Sequence, residues 1–439
     1  MNNLKLNYKV LVVIVMIMST GFLTQAQNST DSLTLSKIIS IVIENHPAIK
    51  GAEEAVKGAD AGIGLANADY YPKLDADASY TRIGPVQSLS MPGFGTFDLF
   101  PPDNYNANVQ YNQTVYNFGK TAKNVAFANE AKNLSKEILE QLKQKLASAA
   151  TLRYYSLVYL QEALAINNKQ LQTFKEHLDF VEKKQASGSA TQYEILSTKV
   201  KISTIESNIL DLQSHMKNTM TELNELMGLP GKSNFTVTED FGQKIPALSE
   251  DSLLAYAYEH RDEIRIAKEK TSLNELKYKL IKAENNPSLN VHLSGGGKNG
   301  FFPDLNVVKA NYVAALELRI PIFDGTKTKY HLIQAGSAIK ITEFETVQAR
   351  QAIIADLAES QENVKSSLKK IDHFNLQLSQ SQEAYRLAQL NFKAGVITNL
   401  DLLDAATNIS DSSLLLLKAK IEYITNVFRL RVSIGERIY

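Results

Sequence analysis

Phe392-Lys393-Ala394-Gly395-Val396-Ile397-Thr398-Asn399-Leu400-Asp401-Leu402-Leu403-Asp404-Ala405 puts a glycine between two long helical patterns. Working outward, Ser187-Gly188-Ser189 stands in the same relation to an earlier pair of patterns. A matching opener precedes each glycine: Tyr116-Asn117-Phe118-Gly119-Lys120-Thr121 in one place, Phe323-Asp324-Gly325-Thr326-Lys327-Thr328 in the other. Tyr116 lies 72 residues before Gly188, Phe323 lies 72 before Gly395, and the two sets are offset by 207. Surface loops tolerate insertions whereas long packed helices in register do not, so equal spacing marks two rods of fixed length. A helix of roughly 65 residues is about 100 Å long, far beyond the usual helix of a globular protein. No proline interrupts either interval.

The matching continues toward the N-terminus. Asn45-His46-Pro47-Ala48-Ile49 answers Glu259-His260-Arg261-Asp262-Glu263-Ile264, and Tyr71-Pro72-Lys73-Leu74 answers Asn286-Pro287-Ser288-Leu289. The chain therefore reads as two internal structural repeats, residues 27–230 and 248–435, joined by a linker over 231–247. Within the first rod, Leu134, Ile138, Leu142, Leu146, Ala149 and Leu152 recur at helical spacing. After Gly188 the pattern tightens to a heptad seam of Ile202, Ile205, Ile209, Leu212, Met216, Thr219, Leu223 and Leu226. Ile409, Leu416, Ala419, Tyr423 and Leu430 repeat members of that seam. We read these stripes as core, the surfaces along which helices pack side by side. Long helices are expected over 119–186, 190–227, 325–393 and 398–434, with a further helix opening each repeat.

Between the helical stretches the period changes to two. Leu74, Ala76, Ala78 and Tyr80 alternate with Asp75, Asp77, Ser79 and Thr81; Tyr105, Ala107, Val109 and Tyr111 alternate with Asn104, Asn106, Asn108, Gln110 and Asn112. The second repeat does the same with Leu289, Val291 and Leu293, and with Tyr312, Ala314, Leu316, Leu318 and Ile320. These are strands with one apolar and one polar face, expected over 73–82, 104–116, 288–295 and 310–322. Alternation alone fits a soluble sheet with one wet face. It also fits transmembrane strands around a polar lumen. Four strands leave two open edges, which lipid does not tolerate, and are too few to enclose a pore. A barrel would need strands from several chains; three copies would supply twelve. The connections over 82–103 and 295–309, rich in Gly, Pro and Phe, fit external loops of such a barrel.

The N-terminus tips the choice toward a membrane. Lys5 and Lys9 precede an apolar run over 10–18, and Thr24-Gln25-Ala26 offers a cleavage site before Gln27. This is an export signal over 1–26, too short for the roughly 20 residues of a spanning helix. Lysine plus arginine and aspartate plus glutamate are 47 each, so no basic excess marks a nucleic-acid footprint. With no cysteine, disulfides, thiolate metal sites, a cysteine nucleophile and a lipidated N-terminal cysteine are all excluded. Gly295-Gly296-Gly297 lacks the Lys-Ser/Thr of a phosphate loop, and no nucleophile elbow or dinucleotide fingerprint occurs. His46 and His260 head matching helices and read as local packing or capping residues. Nothing supports an enzyme.

Two half-chains, each helix, strand, strand, long helix, helix, resemble the TolC-like outer-membrane efflux proteins over roughly residues 33–435. The stretch from Phe392 to Ala405 carries most of the likeness, with Tyr71-Pro72, Asn286-Pro287 and Ile320-Pro321-Ile322-Phe323-Asp324-Gly325. The resemblance implies a mainly α fold with a small β part, assembled as a homotrimer. Its four strands per chain, twelve in total, would form a transmembrane β-barrel in outer-membrane lipid. Its helices would form a long antiparallel coiled-coil barrel through the periplasm of a Gram-negative bacterium. The implied function is a passive export duct of a tripartite efflux or type I secretion system. Its partners would be a periplasmic adaptor protein and an inner-membrane pump, with no cofactor, metal or nucleic acid. By position Asp401, Asp404 and Glu194 match acidic residues that ring the narrow periplasmic gate. Like charges crowded there would disfavour ionisation. The turns Gly188, Ser189, Gly395 and Val396 match the adaptor contact. The sequence departs from the family where an aromatic hydroxyl and an arginine often latch the closed end: Phe392 and Ile397 stand there instead. The rival reading is a periplasmic coiled-coil adaptor or structural protein without a pore. The doubled strand pattern argues against it.

Overall fold

The computed structural model describes residues 32–93, 95–229, 235–238 and 250–439. The expected export signal over 1–26 and most of the expected linker over 231–247 lie outside the described residues. A short strand β1 (Ser32–Leu33) leads into helices α1 (Leu35–Asn45) and α2 (Pro47–Ala68). His46 breaks the pair: its Nδ1 accepts the Ala48 N–H at 3.1 Å and caps α2, with Pro47 at the first position, where no N–H is needed. Then come strands β2 (Lys73–Arg82), β3 (Ser88–Met91), β4 (Gly95–Asp98) and β5 (Asp103–Tyr116). Helices α3 (Lys120–Ala186) and α4 (Gln192–Leu226) follow. After strand β6 (Thr236–Val237) the second half runs α5 (Glu250–His260), α6 (Asp262–Ala283), β7 (Ser288–Lys298), β8 (Lys309–Arg319), α7 (Lys327–Lys393) and α8 (Asn399–Ser433). Both α3 and α7 have 67 residues, and both α4 and α8 have 35.

Strands β2, β5, β7 and β8 form one antiparallel sheet in that order, so β2 and β8 are its open edges. Along β5 the polar Asn104, Asn106, Asn108 and Gln110 are half-buried, whereas Tyr105, Ala107 and Val109 between them are exposed. The polar face is thus the sheltered one and the apolar face is turned outward, with Tyr312 86% and Leu316 69% exposed. Strand β8 stops at Arg319 rather than at 322, because Pro321 has no N–H to give a ladder. Strand β7 runs on through its glycines to Lys298, past the expected end at 295. The loop over 82–103 folds as a small hairpin, β3 on β4, which the sequence reading missed. Strand β6 falls in the expected linker and pairs in parallel with β1.

The helices make a row. At the end away from the sheet its order is α4, α3, α8, α7; nearer the sheet, α2 and α6 stand in place of α4 and α8. Midway, α1, β6 and the ends of α4 and α8 wrap a core that includes Tyr154 and Tyr155, both fully buried. The Tyr154 hydroxyl donates to Thr238 O at 2.5 Å. Two glycines fit this belt tightly. Gly228 lies against Asn45, and Gly435 against the backbone of His260 and Arg261.

The helical stripes need one correction. The heptad seam is core: Ile202, Ile205, Ile209, Thr219 and Leu223 are buried. The α3 stripe from Leu134 to Leu152 is so only in part, with Leu146 packed against the core and Leu134, Leu142 and Ala149 half-buried. Its Ile138 is 46% and its Leu152 56% exposed, while Ala147, Ala150, Tyr154, Leu157 and Val158 form the buried flank. Helical period alone finds an apolar stripe without saying whether the same chain covers it.

Candidate functional site

The end of the row farthest from the sheet is made of two turns. Helix α3 ends when Gly188 takes φ +75, with Ser189 N–H donating to Lys184 O at 2.8 Å and Gly188 N–H to Gln185 O at 2.9 Å. Helix α7 ends the same way: Gly395 also has φ +75, Val396 N–H donates to Asn391 O at 2.9 Å and Gly395 N–H to Phe392 O at 3.1 Å. Both are Schellman caps, in which a left-handed residue lets the last carbonyls find donors. Gly188, Ser189 and Gly395 are exposed, and Val396 is 72% exposed.

The restarts are capping boxes, which satisfy helix-end donors reciprocally. The Thr191 hydroxyl accepts the Glu194 N–H at 3.3 Å while Glu194 Oε2 accepts the Thr191 N–H at 2.7 Å. At the second turn Thr398 Oγ1 accepts the Asp401 N–H at 3.2 Å, and Asp401 Oδ2 accepts the Thr398 N–H at 2.9 Å. Two of the three expected gate carboxylates therefore carry a local job as helix caps. Within one chain the Thr398 hydroxyl and N–H hold the Asp401 carboxyl below the usual carboxylate range, the opposite direction from like-charge crowding. Asp404 pairs with Lys201 of α4 at 3.0 Å. Asp401 and Asp404 are exposed and Glu194 half-buried.

The structure adds residues that the sequence reading did not single out. Asn399, in the first turn of α8, is only 3% exposed. Its Oδ1 lies 2.5 Å from His177 Nε2 on α3, and its amide nitrogen donates to Thr198 Oγ1 at 3.2 Å and to Glu194 O at 3.4 Å on α4. Phe392, noted above as a departure, is buried. Its ring centroid is 5.5 Å from that of His177 and 6.4 Å from that of Phe180. The Lys184 ammonium lies 5.0 Å from the Phe392 centroid and 5.3 Å from the Phe180 centroid. Ile397 is half-buried. One signal in the sequence could have found this cluster: it breaks the repeat. The positions 207 away from His177, Phe392 and Asn399 hold Ala384, Gln185 and Gln192.

No group of His, Asp and Glu able to hold a metal occurs among the described residues, and none of their helices is long and apolar enough to cross a membrane. What the geometry offers is a rod with an apolar-faced sheet at one end and two exposed helix turns about 100 Å away, at 1.5 Å per residue of the 67-residue α3.

A family model described as outer membrane efflux protein matches residues 38–229 and 253–436. The alkaline protease secretion protein AprF of Pseudomonas aeruginosa is 21% identical over 340 residues, 76% of this chain and 70% of its own length. The solved structure of CusC, described in terms of transmembrane channel formation, superposes with a TM-score of 0.77 at 19% identity, covering 92% of each chain. The open-state outer membrane channel MtrE of Neisseria gonorrhoeae gives a TM-score of 0.76 at 19% identity, over 92% of this chain and 89% of its own.

Proposed function

We propose, because this chain belongs to the outer membrane efflux protein family, that three copies of it close into a single export duct. The chain is an outer-membrane channel subunit of an export system; its assembly, gate and docking are our reading. The observation that carries the reading is a matched pair of open ends. The sheet stops at β2 on one side and β8 on the other. The helix row stops at α4 on one side and α7 on the other. Each terminal helix carries a second apolar stripe that its own chain leaves uncovered: Tyr193, Leu196, Val200 and Leu210 on α4, and on α7 Leu376, Leu387 and Leu390 near the turns with Ile333, Phe344 and Ile354 nearer the sheet. A helix in a ring has two neighbours and needs two apolar flanks. Joining α7 and β8 of one copy to α4 near the turns, α2 nearer the sheet and β2 of the next satisfies both the helices and the strands. Three such joints give twelve strands, with the apolar sheet face toward lipid and the polar face toward the lumen.

In this assembly the α3/α4 and α7/α8 turns gather at the periplasmic end. The exposed turns at Gly188, Ser189, Gly395 and Val396 are the adaptor contact, and an inner-membrane pump supplies the energy. Exposed Asp401 and Asp404, with Glu194 nearby, ring the entrance and favour cations there. The duct performs no chemistry and needs no cofactor.

The absence of native cysteine gives a clean test. Val200→Cys on α4 and Leu387→Cys on α7 lie at similar heights above the turns. Mild oxidation of the double variant in outer membranes should yield covalent dimers and trimers. Only single chains, under conditions where either thiol reacts freely with maleimide, would rule out this joint.

A further inference from the structure

The connection between β2 and β5 carries an apolar face that its own chain leaves bare. The ladder of those strands ends at Arg82 and Asp103, whose side chains pair at 3.0 Å. Backbone bonds carry it on into the hairpin of β3 and β4: Ile83 N–H donates to Pro102 O at 2.8 Å, and Leu99 N–H to Gln87 O at 2.9 Å. The hairpin alternates strictly, as a strand pair with two unlike faces does. On one face Ser88 donates to Asp98 at 2.9 Å and Thr96 to Ser90 at 3.4 Å. On the other, Leu89 stands opposite Phe97, with Met91 beside them. Every residue of both strands is exposed. A two-stranded hairpin alone in water is marginally stable, so this apolar face needs a cover.

Lipid is badly placed to supply it. Strand β2 has 10 residues, about 34 Å of chain, and a tilt of about 35–45° makes that about 24–28 Å tall, the height of an outer-membrane apolar band. Its outward row ends at Tyr80, whose ring centroid lies 5.2 Å from that of Tyr105, and then at Arg82. Aromatic rings followed by a charged pair mark the edge of such a band, and the hairpin lies past it.

The chain carries a second bare apolar surface at the same end. The connection from β7 to β8 exposes Phe302, Val307 and Val308. Its start is fixed on the β5 side of the hairpin: Asn299 is 7% exposed, accepts the Tyr105 N–H at 2.8 Å and donates to Asp103 O at 2.6 Å. The β2 side stays open, because β2 is an edge strand. Joining β2 of one copy to β8 of the next sets the end of β2 at Arg82 beside the start of β8 at Lys309. The surface that ends at Val308 in one copy then adjoins the base of the hairpin in the next.

We propose that the β3–β4 hairpin is a clasp between copies at the external mouth, its Leu89, Met91 and Phe97 covered by the adjoining copy's connection from β7 to β8. The clasp rests on the three-copy duct, without which the two surfaces do not meet. Three such contacts form a collar above the membrane, so the barrel is closed by side-chain packing outside lipid as well as by strand pairing within it. Each large apolar side chain so covered is worth on the order of tenfold or more in the ratio of joined to separated copies.

The chain has no cysteine and no tryptophan, so each serves as a clean probe in the whole mature protein placed in lipid vesicles. Leu89→Cys with Val307→Cys, treated with a short bismaleimide, should give covalent dimers and trimers. In Phe97→Trp the indole emission should be blue-shifted from its position in denaturant, and quenched neither by iodide in the water nor by lipids brominated along their acyl chains. Leu89→Ser with Phe97→Ser should raise the concentration at which detergent-solubilised copies separate by about an order of magnitude or more. Linkage only within single chains would mean that the hairpin is covered by its own copy, and would overturn the clasp. Quenching by brominated lipid, by iodide, or an unchanged separation concentration would overturn it too. Val200→Cys with Leu387→Cys separates the two ideas: trimers from that pair and none from this one overturn the clasp alone. Single chains from both pairs, with the mass of one copy, overturn the duct as well.

Discussion

Phe344 gives the proposed joint between copies a number. It lies on the uncovered flank of α7, 73% exposed in the single chain, with the buried Thr342 and Ile353 on the flank that its own chain covers. Burying a whole phenylalanine side chain is worth about 1.5–3 kcal/mol. Since roughly a quarter is already covered, the joint gains about 1–2 kcal/mol at each copy. Threefold repetition brings the loss in Phe344→Ala to about 3–6 kcal/mol per assembly, or roughly two to four orders of magnitude in the assembly constant. The isolated chain should lose nothing, because its own core does not touch this ring. The assay is dilution of the detergent-solubilised protein, with molar mass followed by light scattering and helix content by circular dichroism. The variant should fall apart at a much higher concentration than the wild type while keeping its helicity. Lys340→Ala, on the same helix, should behave as wild type. A Phe344→Ala protein that holds together as tightly as wild type would refute the argument, because the ring would then face water or the lumen.

Two glycines with similar backbone angles should respond differently to the same change. Gly188→Ala meets open space and should cost only the left-handed penalty of about 1–2 kcal/mol, whereas Gly435→Ala adds a Cβ 2.6 Å from the His260 carbonyl carbon and should lower the melting temperature several times as much. Glu269 on α6 is pushed above the usual carboxylate range by burial and then by Glu130 across on α3. A raised carboxyl binds its proton more readily when folded, so its contribution to stability improves as pH falls from neutral toward that raised value; Glu269→Gln should melt higher than wild type at neutral pH and lose that lead in acid. Asp401→Asn with Asp404→Asn should remove most of the block of conductance by a trivalent cation added from the periplasmic side. A double variant blocked as strongly as wild type would leave Asp401 only its capping role.

The long helices and their ends were legible because their markers are local. Gly188 and Gly395 need φ > 0, Pro72 and Pro287 end helices, and the intervals between markers are rigid. Strand faces followed from alternation alone, as the exposed Tyr105 and sheltered Asn106 illustrate. The stripe from Leu134 to Leu152 lies beside the buried flank rather than on it, because helical period finds an apolar stripe without saying which part of it is covered. The hairpin of β3 and β4 was missed because four-residue strands carry too short an alternation to stand out from a loop. His177 and Asn399 were invisible for a different reason. They lie 222 residues apart, and their meeting depends on how two helix pairs cross, which periodicity does not encode. Glu194 and Asp401 were chosen as gate residues by position, while the Thr191 and Thr398 caps that engage them are short-range signals the reading passed over.

The most direct measurement of the central claim is the mass of the species that conducts. Mature protein extracted in detergent would be separated by size, weighed by light scattering, and each fraction placed in a planar bilayer. The account predicts conductance in the fraction containing three chains, and its disappearance when heating converts that fraction to single chains. Conductance from a single-chain fraction would contradict it, since four strands with two open edges cannot line a pore in lipid.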